Sequence, residues 1–430
     1  MIAHTLAKIA ITFLILRFLF RKRFKSLLEN YRRNKFALKI VKDESAKFGL
    51  DLDDVKLAFV QNFLEGKEKG SQLTLTLNGE VILDLQGGRD EESVFSSMTM
   101  VFSCSKVIES LVVAMLIDQQ KIRSYEDPIS LYWPEFGKRY SETVSIKQLM
   151  QHQAGLEEIN EPLTLREATE LFASPQKIEE WIFRSFKIDD DIHSSLGITS
   201  RYHAITRGIF VDLLCVKTDG RRMRDFVAEE IVRKLDDKQV QYFLGCPSDF
   251  QKEMATCEGV NVFVTLYEIL LHKLGIVSTF IFPKHDAGEE DFDEYYRNYL
   301  SPAEVDLLVK TILPNSRHRK SLVLVKDVGL GVQYLANSAE FRALPLPSVT
   351  GTTNSSSLAK ITAELACGGG KLLSHKGLEK AMQVDEKQGQ IFDELLNMKL
   401  TYSNNGWSTD RLGKDWVGWA YVFTSIFMNP

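Results

Sequence analysis

The sequence predicts a mixed α and β domain with two lobes. A β-hairpin is predicted over residues 71–85, where two apolar runs flank an Asn78-Gly79 turn. Apolar runs of helical length then fill the middle of the chain to about residue 235. The tail mixes both patterns and contains Trp407, Trp416 and Trp419. Strands at both ends of a helical insertion are typical of α+β or α/β folds.

Length, composition and charge are those of a globular protein. The 430 residues suffice for one large domain or two smaller lobes. Hydrophobic residues make up 44% and charged residues 26%, and the net charge of -5 gives no support for a nucleic-acid partner. The five cysteines are scattered without a C-x-x-C pair, so neither a zinc site nor a disulfide scaffold is indicated.

A hydrophobic and basic segment opens the chain. Residues 2–20 are mostly apolar, and no acidic residue precedes Glu29. This is about the length of a short membrane span. The Arg21-Lys22-Arg23 cluster that follows favours the cytoplasmic side for the rest of the chain.

We therefore predict that residues 1–23 form an anchor or targeting segment and that the protein is a single-pass membrane protein. A mitochondrial presequence is the alternative, because the segment is basic and acid-poor. A cleaved secretory signal is less favoured, since no small-residue cleavage site follows Phe20. Residues 24–50 are predicted to form a basic helical linker, and residues 51–430 the folded domain.

Further helices are predicted from apolar spacing, capping residues and glycine stops. An amphipathic helix is expected from Asp54, one or two helices over 162–186, and one each over 202–215, 223–235 and 358–367. Ser145 is expected to cap a short helix that ends before Gly155. Gly220 and the Gly368-Gly369-Gly370 run are expected to end the helices before them.

One stretch combines a nucleophile with a candidate base. Ser103-Cys104-Ser105-Lys106 opens a strongly apolar run that reaches Ile117 and has helical length. On a helix, residues three apart share one face, so Ser103 and Lys106 would be neighbours. Burial pushes a lysine toward its neutral, basic form, and a serine hydroxyl becomes a good nucleophile only beside a base. The free N–H groups at a helix start suit a developing oxyanion.

The Ser-x-x-Lys pattern alone is weak evidence. Ser174 to Lys177 and Ser357 to Lys360 match it too, and an N-capping serine is the structural alternative for each. Only Ser103 has an apolar helix behind it to bury the lysine. The His285–Asp291 stretch resembles a metal cluster in composition, but we interpret it as a solvated acidic loop.

Several stretches, taken in order, resemble one family. They are Val101 to Lys106, Tyr132-Trp133-Pro134-Glu135-Phe136, Leu149 to Leu156, Tyr202-His203-Ala204-Ile205-Thr206, and Asn354 to Gly370. Together they resemble the class C beta-lactamase-related serine hydrolases, which include penicillin-binding carboxypeptidases, esterases and animal beta-lactamase domain-containing proteins. The resemblance runs from about residue 55 to residue 418 and is nearest to the animal branch. It implies a two-lobed beta-lactamase/transpeptidase-like α+β fold, with an antiparallel sheet flanked by helices and an all-helical lobe.

The resemblance also implies roles for individual residues. Ser103 matches the acyl-enzyme nucleophile, Lys106 the group that helps to deprotonate it, and Tyr202 the second acid/base of a Tyr-x-Asn motif. Ala204 stands where that motif has asparagine, a variant typical of the esterase-like branch. The family needs no metal or organic cofactor. His152 and His203 are expected to be structural.

The third family motif is where the resemblance fails. The family carries a Lys/His-Thr-Gly-like triplet on a strand that lines the site, whereas Trp419-Ala420-Tyr421 takes that place here. The strand normally supplies one oxyanion donor, and losing such a donor costs about 2.7–4 kcal/mol in the transition state. The sequence ends at Pro430, so we expect a C-terminally truncated domain with incomplete strands and an exposed sheet edge.

Two functions remain open on this evidence. The first is a serine hydrolase that cleaves a small-molecule or peptide ester or amide through a Ser103 acyl-enzyme. The second is a catalytically inactive, membrane-tethered binding or scaffolding protein. The altered third motif favours the second, while the presence of Ser103, Lys106 and Tyr202 favours the first.

Overall fold

The computed structural model describes residues 37–64, 68–88, 97–186, 199–257, 316–328, 332–385, 389–408, 417–421 and 424–428. The predicted membrane segment over residues 1–23 and the acidic stretch His285–Asp291 lie outside these ranges. Within them, no helix has the length and apolar character that a membrane crossing requires.

Eleven strands are defined in the described part of the chain, and most are short. They are β1 (Ala37–Asp43), β2 (Gly70–Leu77), β3 (Glu80–Gly88), β4 (Thr99–Met100), β5 (Thr199–Ser200), β6 (Tyr242–Leu244), β7 (Gly351–Thr353), β8 (Ile391–Asp393), β9 (Met398–Leu400), β10 (Val417–Tyr421) and β11 (Thr424–Met428).

The α-helices are α1 (Asp53–Leu64), α2 (Ser105–Asp118), α3 (Pro134–Arg139), α4 (Ile146–Met150), α5 (Leu165–Phe172), α6 (Pro175–Ser185), α7 (Thr206–Asp219), α8 (Met223–Phe226), α9 (Arg233–Leu235), α10 (Arg317–Leu322), α11 (Val332–Asn337), α12 (Ala339–Ala343), α13 (Ser355–Ala366) and α14 (His375–Met382). A π-helical turn, Val227–Val232, joins α8 to α9. Short 3-10 turns lie at Ser45–Phe48, Phe102–Cys104, Ile129–Leu131 and Ser248–Glu253.

The chain divides into two compact units. In its described part, the first unit comprises residues 37–73 and 83–88, and the second comprises the remaining described residues. Ser103, Lys106 and Tyr202 all belong to the second unit.

The prediction of a helical linker over residues 24–50 is wrong for its described part. In the first unit, β1 pairs antiparallel with β3, from Ala37 opposite Gly88 to Asp43 opposite Leu83. The β-branched neighbours Ile40 and Val41 favour a strand, and the pairing satisfies its backbone hydrogen bonds. Long-range pairing therefore overrides the mixed-charge pattern that suggested a helix.

The predicted hairpin is confirmed. β2 and β3 flank Asn78 and Gly79, which have φ angles of 51° and 82°. Positive φ at both positions defines the type I′ turn that Asn-Gly favours. The sheet order is β1-β3-β2.

The predicted helical middle is confirmed in the second unit. Between residues 101 and 235 the described elements are helices, helical turns and the two-residue strand β5. Ser145 and Gln148 form a reciprocal capping box at the start of α4, and α7 ends at Gly220 with φ of 87°. An aromatic cluster packs α3, α6 and α7 together through Trp133, Phe136, Tyr140, Phe183, Phe186 and Phe210.

Three small sheets complete the second unit. They have the orders β4-β7-β6, β5-β8-β9 and β10-β11. The pairs β4–β7, β6–β7, β8–β9 and β10–β11 are antiparallel, and β5–β8 is parallel. β4 leads directly to the Ser103 turn and β5 to Tyr202, so two of these sheets position the candidate site.

Candidate active site

Ser103 lies in a strained turn between a strand and a buried helix. The Val101 N–H donates to the Gly351 carbonyl at 2.8 Å, which ties the end of β4 to β7. Phe102 then has a left-handed φ of 44°, which is unfavourable for a residue with a Cβ and marks stored strain. Ser103 is in the 3-10 turn Phe102–Cys104, just before α2, rather than in the first turn of the α-helix itself. In this turn the Cys104 N–H donates to the Val101 carbonyl at 3.0 Å, and the positive potential at the start of α2 suits an oxyanion nearby.

Lys106 is buried in the first turn of α2, with only 1% of its surface exposed. Its Nζ donates to the carbonyl of Ala204 at 2.6 Å and to that of Ser348 at 3.2 Å. Burial lowers the pKa of Lys106 to about 7; the anion of Glu109 opposes this shift and the Arg207 cation adds to it. Near neutral pH the amine is therefore divided between its protonated and its basic form.

Tyr202 joins the two residues. Its hydroxyl donates to Ser103 Oγ at 2.7 Å, and its ring centroid is 5.1 Å from Lys106 Nζ. The buried Asp393 carboxylate at the end of β8 accepts hydrogen bonds from the Tyr202 N–H at 3.3 Å and the Ser200 hydroxyl at 2.8 Å. The parallel β5–β8 pair thus fixes the backbone that carries the tyrosine.

The structure brings the three predicted residues together in one cluster. Ser103 and Tyr202 are hydrogen-bonded directly, whereas the Lys106 amine donates to two backbone carbonyls and not to Ser103 Oγ. A neutral amine has two N–H donors and one lone pair. The two carbonyls use both donors, so the remaining tetrahedral position is available to accept a proton.

His152 and His203 lie next to this cluster and are hydrogen-bonded to each other. The His203 N–H donates to His152 Nδ1 at 3.0 Å, and the Leu156 N–H donates to His203 Nε2 at 3.2 Å. The His152 ring meets the Tyr202 ring edge-on at 4.9 Å. Burial lowers the pKa of His203 to about 3 and holds that of His152 well below its usual value. Both rings are neutral near pH 7 and act as structural groups, as predicted.

β10 runs beside the Ser103 turn. Cα atoms of β10 and of the turn Phe102–Cys104 approach within 8 Å, and β10 pairs with β11 from Val417 opposite Met428 to Tyr421 opposite Thr424. The residues that replace the family triplet, 419–421, are therefore on a strand next to the nucleophile. β11 pairs with one edge of that strand.

A buried ion pair next to Lys106 escaped the sequence analysis. The Arg207 guanidinium of α7 is paired with the Glu109 carboxylate of α2, and both side chains are fully buried. Arg207 also donates to the Met150 carbonyl at 2.8 Å and to the Lys106 carbonyl at 3.2 Å. The available signal was an acid and a base, each inside an apolar helical run, since buried charges need partners.

The other two Ser-x-x-Lys matches are structural. Ser357 and Lys360 both lie on α13. Ser357 Oγ accepts from the Gln241 N–H at 3.0 Å, and Lys360 pairs with Asp237 at 2.8 Å. Ser174 is the N-cap residue of α6, and Lys177 is exposed. Only the match at Ser103 has a buried lysine and a tyrosine hydroxyl beside the serine.

Gly351 sets the position of the Ser103 turn, and an alanine there is expected to disturb it. Its N–H donates to Ser105 Oγ at 3.1 Å, and a Cβ would clash with that oxygen and the Tyr242 hydroxyl. We expect Gly351→Ala to lower the free energy of unfolding by about 1–3 kcal/mol in urea titrations. Gly70→Ala is the control, because its Cβ would be 3.9 Å from the nearest atom, the Gly87 carbonyl oxygen. Equal stability of the two variants would contradict this packing argument.

Comparisons with known proteins point to one family. Residues 57–260 match the family model described as Beta-lactamase. The Esterase/beta-lactamase LipL of Mycobacterium tuberculosis is 29% identical over 184 residues, which cover 42% of this chain and 40% of that protein. The matched stretch thus spans less than half of the length of this relative.

Solved structures extend the likeness over most of the chain. A penicillin-binding protein homologue from Caulobacter crescentus is 20% identical with a TM-score of 0.63, covering 92% of this chain and 91% of its own. A family VIII carboxylesterase is 19% identical with a TM-score of 0.64, covering 91% and 90%. These likenesses show a beta-lactamase/transpeptidase-like fold. With the family match over residues 57–260, they confirm the predicted resemblance to the beta-lactamase-related proteins.

Proposed function

We propose that the protein is a serine hydrolase that cleaves an ester or amide through an acyl-enzyme on Ser103. The observation that carries the proposal is the 2.7 Å hydrogen bond from the Tyr202 hydroxyl to Ser103 Oγ, beside the buried Lys106 amine. A nucleophile, a base with a pKa of about 7 and a second hydroxyl are the parts that acyl transfer needs. The similar proteins described above, an esterase/beta-lactamase and a carboxylesterase, support the same reaction class.

In the acylation step, the Ser103 proton passes to the neutral Lys106 amine while Oγ attacks the carbonyl carbon. The ammonium formed is held by the carbonyl oxygens of Ala204 and Ser348, which already accept its N–H groups. The positive potential at the start of α2 favours the growing negative charge on the carbonyl oxygen. Tyr202 donates its proton to the leaving group and regains one from Lys106, so the acyl-enzyme forms with the amine neutral again.

Deacylation reverses these roles. Water attacks the acyl carbonyl as the same tyrosine and lysine pair accepts its proton, and the proton returns to Ser103 Oγ as the acid product leaves. Because the neutral amine is the base, the rate should rise with pH through about 7. The reaction consumes only water and the substrate.

The residue after His203 bears on the substrate class. Ala204 contributes its carbonyl to Lys106, and its methyl side chain can make no hydrogen bond to a substrate amide. An asparagine in this position would provide one. We therefore favour esters without a peptide-like amide next to the scissile bond.

Covalent labelling tests the proposal. The purified protein is treated with a fluorescent fluorophosphonate, and Ser103→Ala is expected to lose all labelling. Ser174→Ala is the matched control, since Ser174 belongs to a Ser-x-x-Lys without a buried base and its side chain makes no capping hydrogen bond. Wild-type protein that stays unlabelled would contradict the hydrolase proposal and favour the non-catalytic binding protein.

Membrane attachment through residues 2–20 and a mitochondrial location remain predictions from the sequence. Both concern residues outside the described ranges.

A further inference from the structure

The site has a layer of buried polar side chains that take no part in the proposed proton transfers. Glu109 on α2, Arg207 on α7 and Ser348 before β7 are all buried and joined by hydrogen bonds. The Ser348 hydroxyl donates to Glu109 Oε2 at 2.6 Å and accepts from the Gly208 N–H at 2.8 Å. The layer ties together three segments that are about 100 or more residues apart in sequence.

Both ends of Lys106 are attached to this layer. Its backbone carbonyl accepts from Arg207 Nη2 at 3.2 Å, and its Nζ donates to the Ser348 carbonyl at 3.2 Å. The guanidinium therefore fixes the start of the lysine side chain, and the Ser348 segment fixes its tip. A side chain with four rotatable bonds gains most from such fixing, because its conformational entropy is high.

The two charges act on the Lys106 amine in opposite directions. Glu109 favours the ammonium, Arg207 disfavours it, and burial disfavours it most. A balanced pair keeps the amine near the pH at which it can both accept and return a proton. Removing one partner would shift the pKa of the Lys106 amine, and removing both would nearly restore it.

Other titratable groups also face Lys106 and are kept constant in the comparison below. Cys104 lies in the turn that precedes α2. Tyr202, His152 and His203 belong to segments that pack against α2.

We infer that the Glu109–Arg207 ion pair, together with Ser348 bonded to Glu109, is a positioning device that holds both ends of Lys106 and balances the electric field at its amine. The inference rests on the proposed function for its catalytic meaning. It assigns no direct contact with substrate to Glu109, Arg207 or Ser348.

The test compares the pH profile of Ser103 labelling in four proteins. Glu109→Gln is expected to move the midpoint of the profile to lower pH, because the amine loses its anion. Arg207→Gln is expected to move it to higher pH, and the two midpoints should differ by about one unit or more. The double variant Glu109→Gln/Arg207→Gln should return to within about half a unit of wild type but react about tenfold more slowly, since the Lys106 carbonyl has lost its donor.

A purely structural role would lower stability in all variants without moving the midpoints in opposite directions, and that result would overturn the inference. A single variant leaves a buried charge unpaired, which destabilises the fold strongly, and it can fail to fold. The double variant leaves no unpaired charge. If only the double variant folds, a labelling rate equal to wild type overturns the inference, and a tenfold loss supports it.

A second readout separates this inference from the proposed hydrolase. Free energies of unfolding are measured against pH in each background, with and without Lys106→Met, so that the contribution of the lysine is isolated. The pH at which that contribution begins to rise should shift in the same directions as the labelling midpoints. Protein without Ser103 labelling but with these shifts would contradict the hydrolase and support the ion-pair role; labelling without the shifts would do the reverse.

Discussion

Tyr202→Phe is expected to slow the reaction of Ser103 with a fluorophosphonate by about 10²–10⁴-fold, the usual range for loss of a general acid/base. The change removes the hydroxyl that donates to Ser103 Oγ at 2.7 Å. It leaves the ring, which packs on His152 at 4.9 Å and lies 5.1 Å from Lys106 Nζ. The fold should be affected by only about 1 kcal/mol, because one buried hydrogen bond is lost.

Tyr402→Phe is the matched control for this experiment. Tyr402 is also buried, and its ring meets the same His152 at 5.9 Å, but its hydroxyl is not bonded to Ser103. The control should label at nearly the wild-type rate. If Tyr202→Phe stayed within about threefold of Tyr402→Phe, Tyr202 would not be an acid/base of the reaction.

Features with a local signal could be predicted from the sequence. The Asn78-Gly79 hairpin, the helix cap at Ser145 and the glycine stop at 368–370 are predicted from neighbouring residues, and the structure contains all three. Each of these features depends only on residues that are close together in the sequence. The three glycines have φ angles of 74°, 101° and 52°, which residues with a Cβ rarely adopt.

Features that depend on pairing between distant parts of the chain could not be predicted from the sequence. β1 is a strand because it pairs with β3, about forty residues later in the chain. The sheet β4-β7-β6 consists of two- and three-residue strands that no periodicity can reveal, although it sets the Ser103 turn. Motif spacing indicated Ser103 and Lys106, and the family resemblance added Tyr202, but only the structure shows that the Lys106 amine is held by two carbonyls.

The Glu109–Arg207 pair lies between these cases. Its members are 98 residues apart, so no local pattern joins them. Each one nevertheless interrupts an apolar helix, and a charge in such a place calls for a partner of opposite sign. The sequence could thus have indicated that a partner exists without identifying it.

Lys106→Met is expected to remove a large pH dependence of stability. The pKa of Lys106 is about 7 in the folded protein and 10.5 in an unfolded chain, so between these values the unfolded state binds the additional proton. Stability therefore rises with pH across this window, by up to about 5 kcal/mol for this one group. Below pH 7 both states hold the proton, and the contribution of the lysine becomes constant.

The measurement is the free energy of unfolding in urea at several values between pH 6 and pH 10.5. Other groups titrate in this range, so the quantity of interest is the difference between wild type and Lys106→Met. Lys177→Met is the control, because Lys177 is the lysine of a second Ser-x-x-Lys match, at the start of α6, and is exposed. A wild-type minus Lys106→Met difference that stays flat would mean that the amine remains charged when folded. It could not then accept the Ser103 proton, and the proposed base would have to be another group.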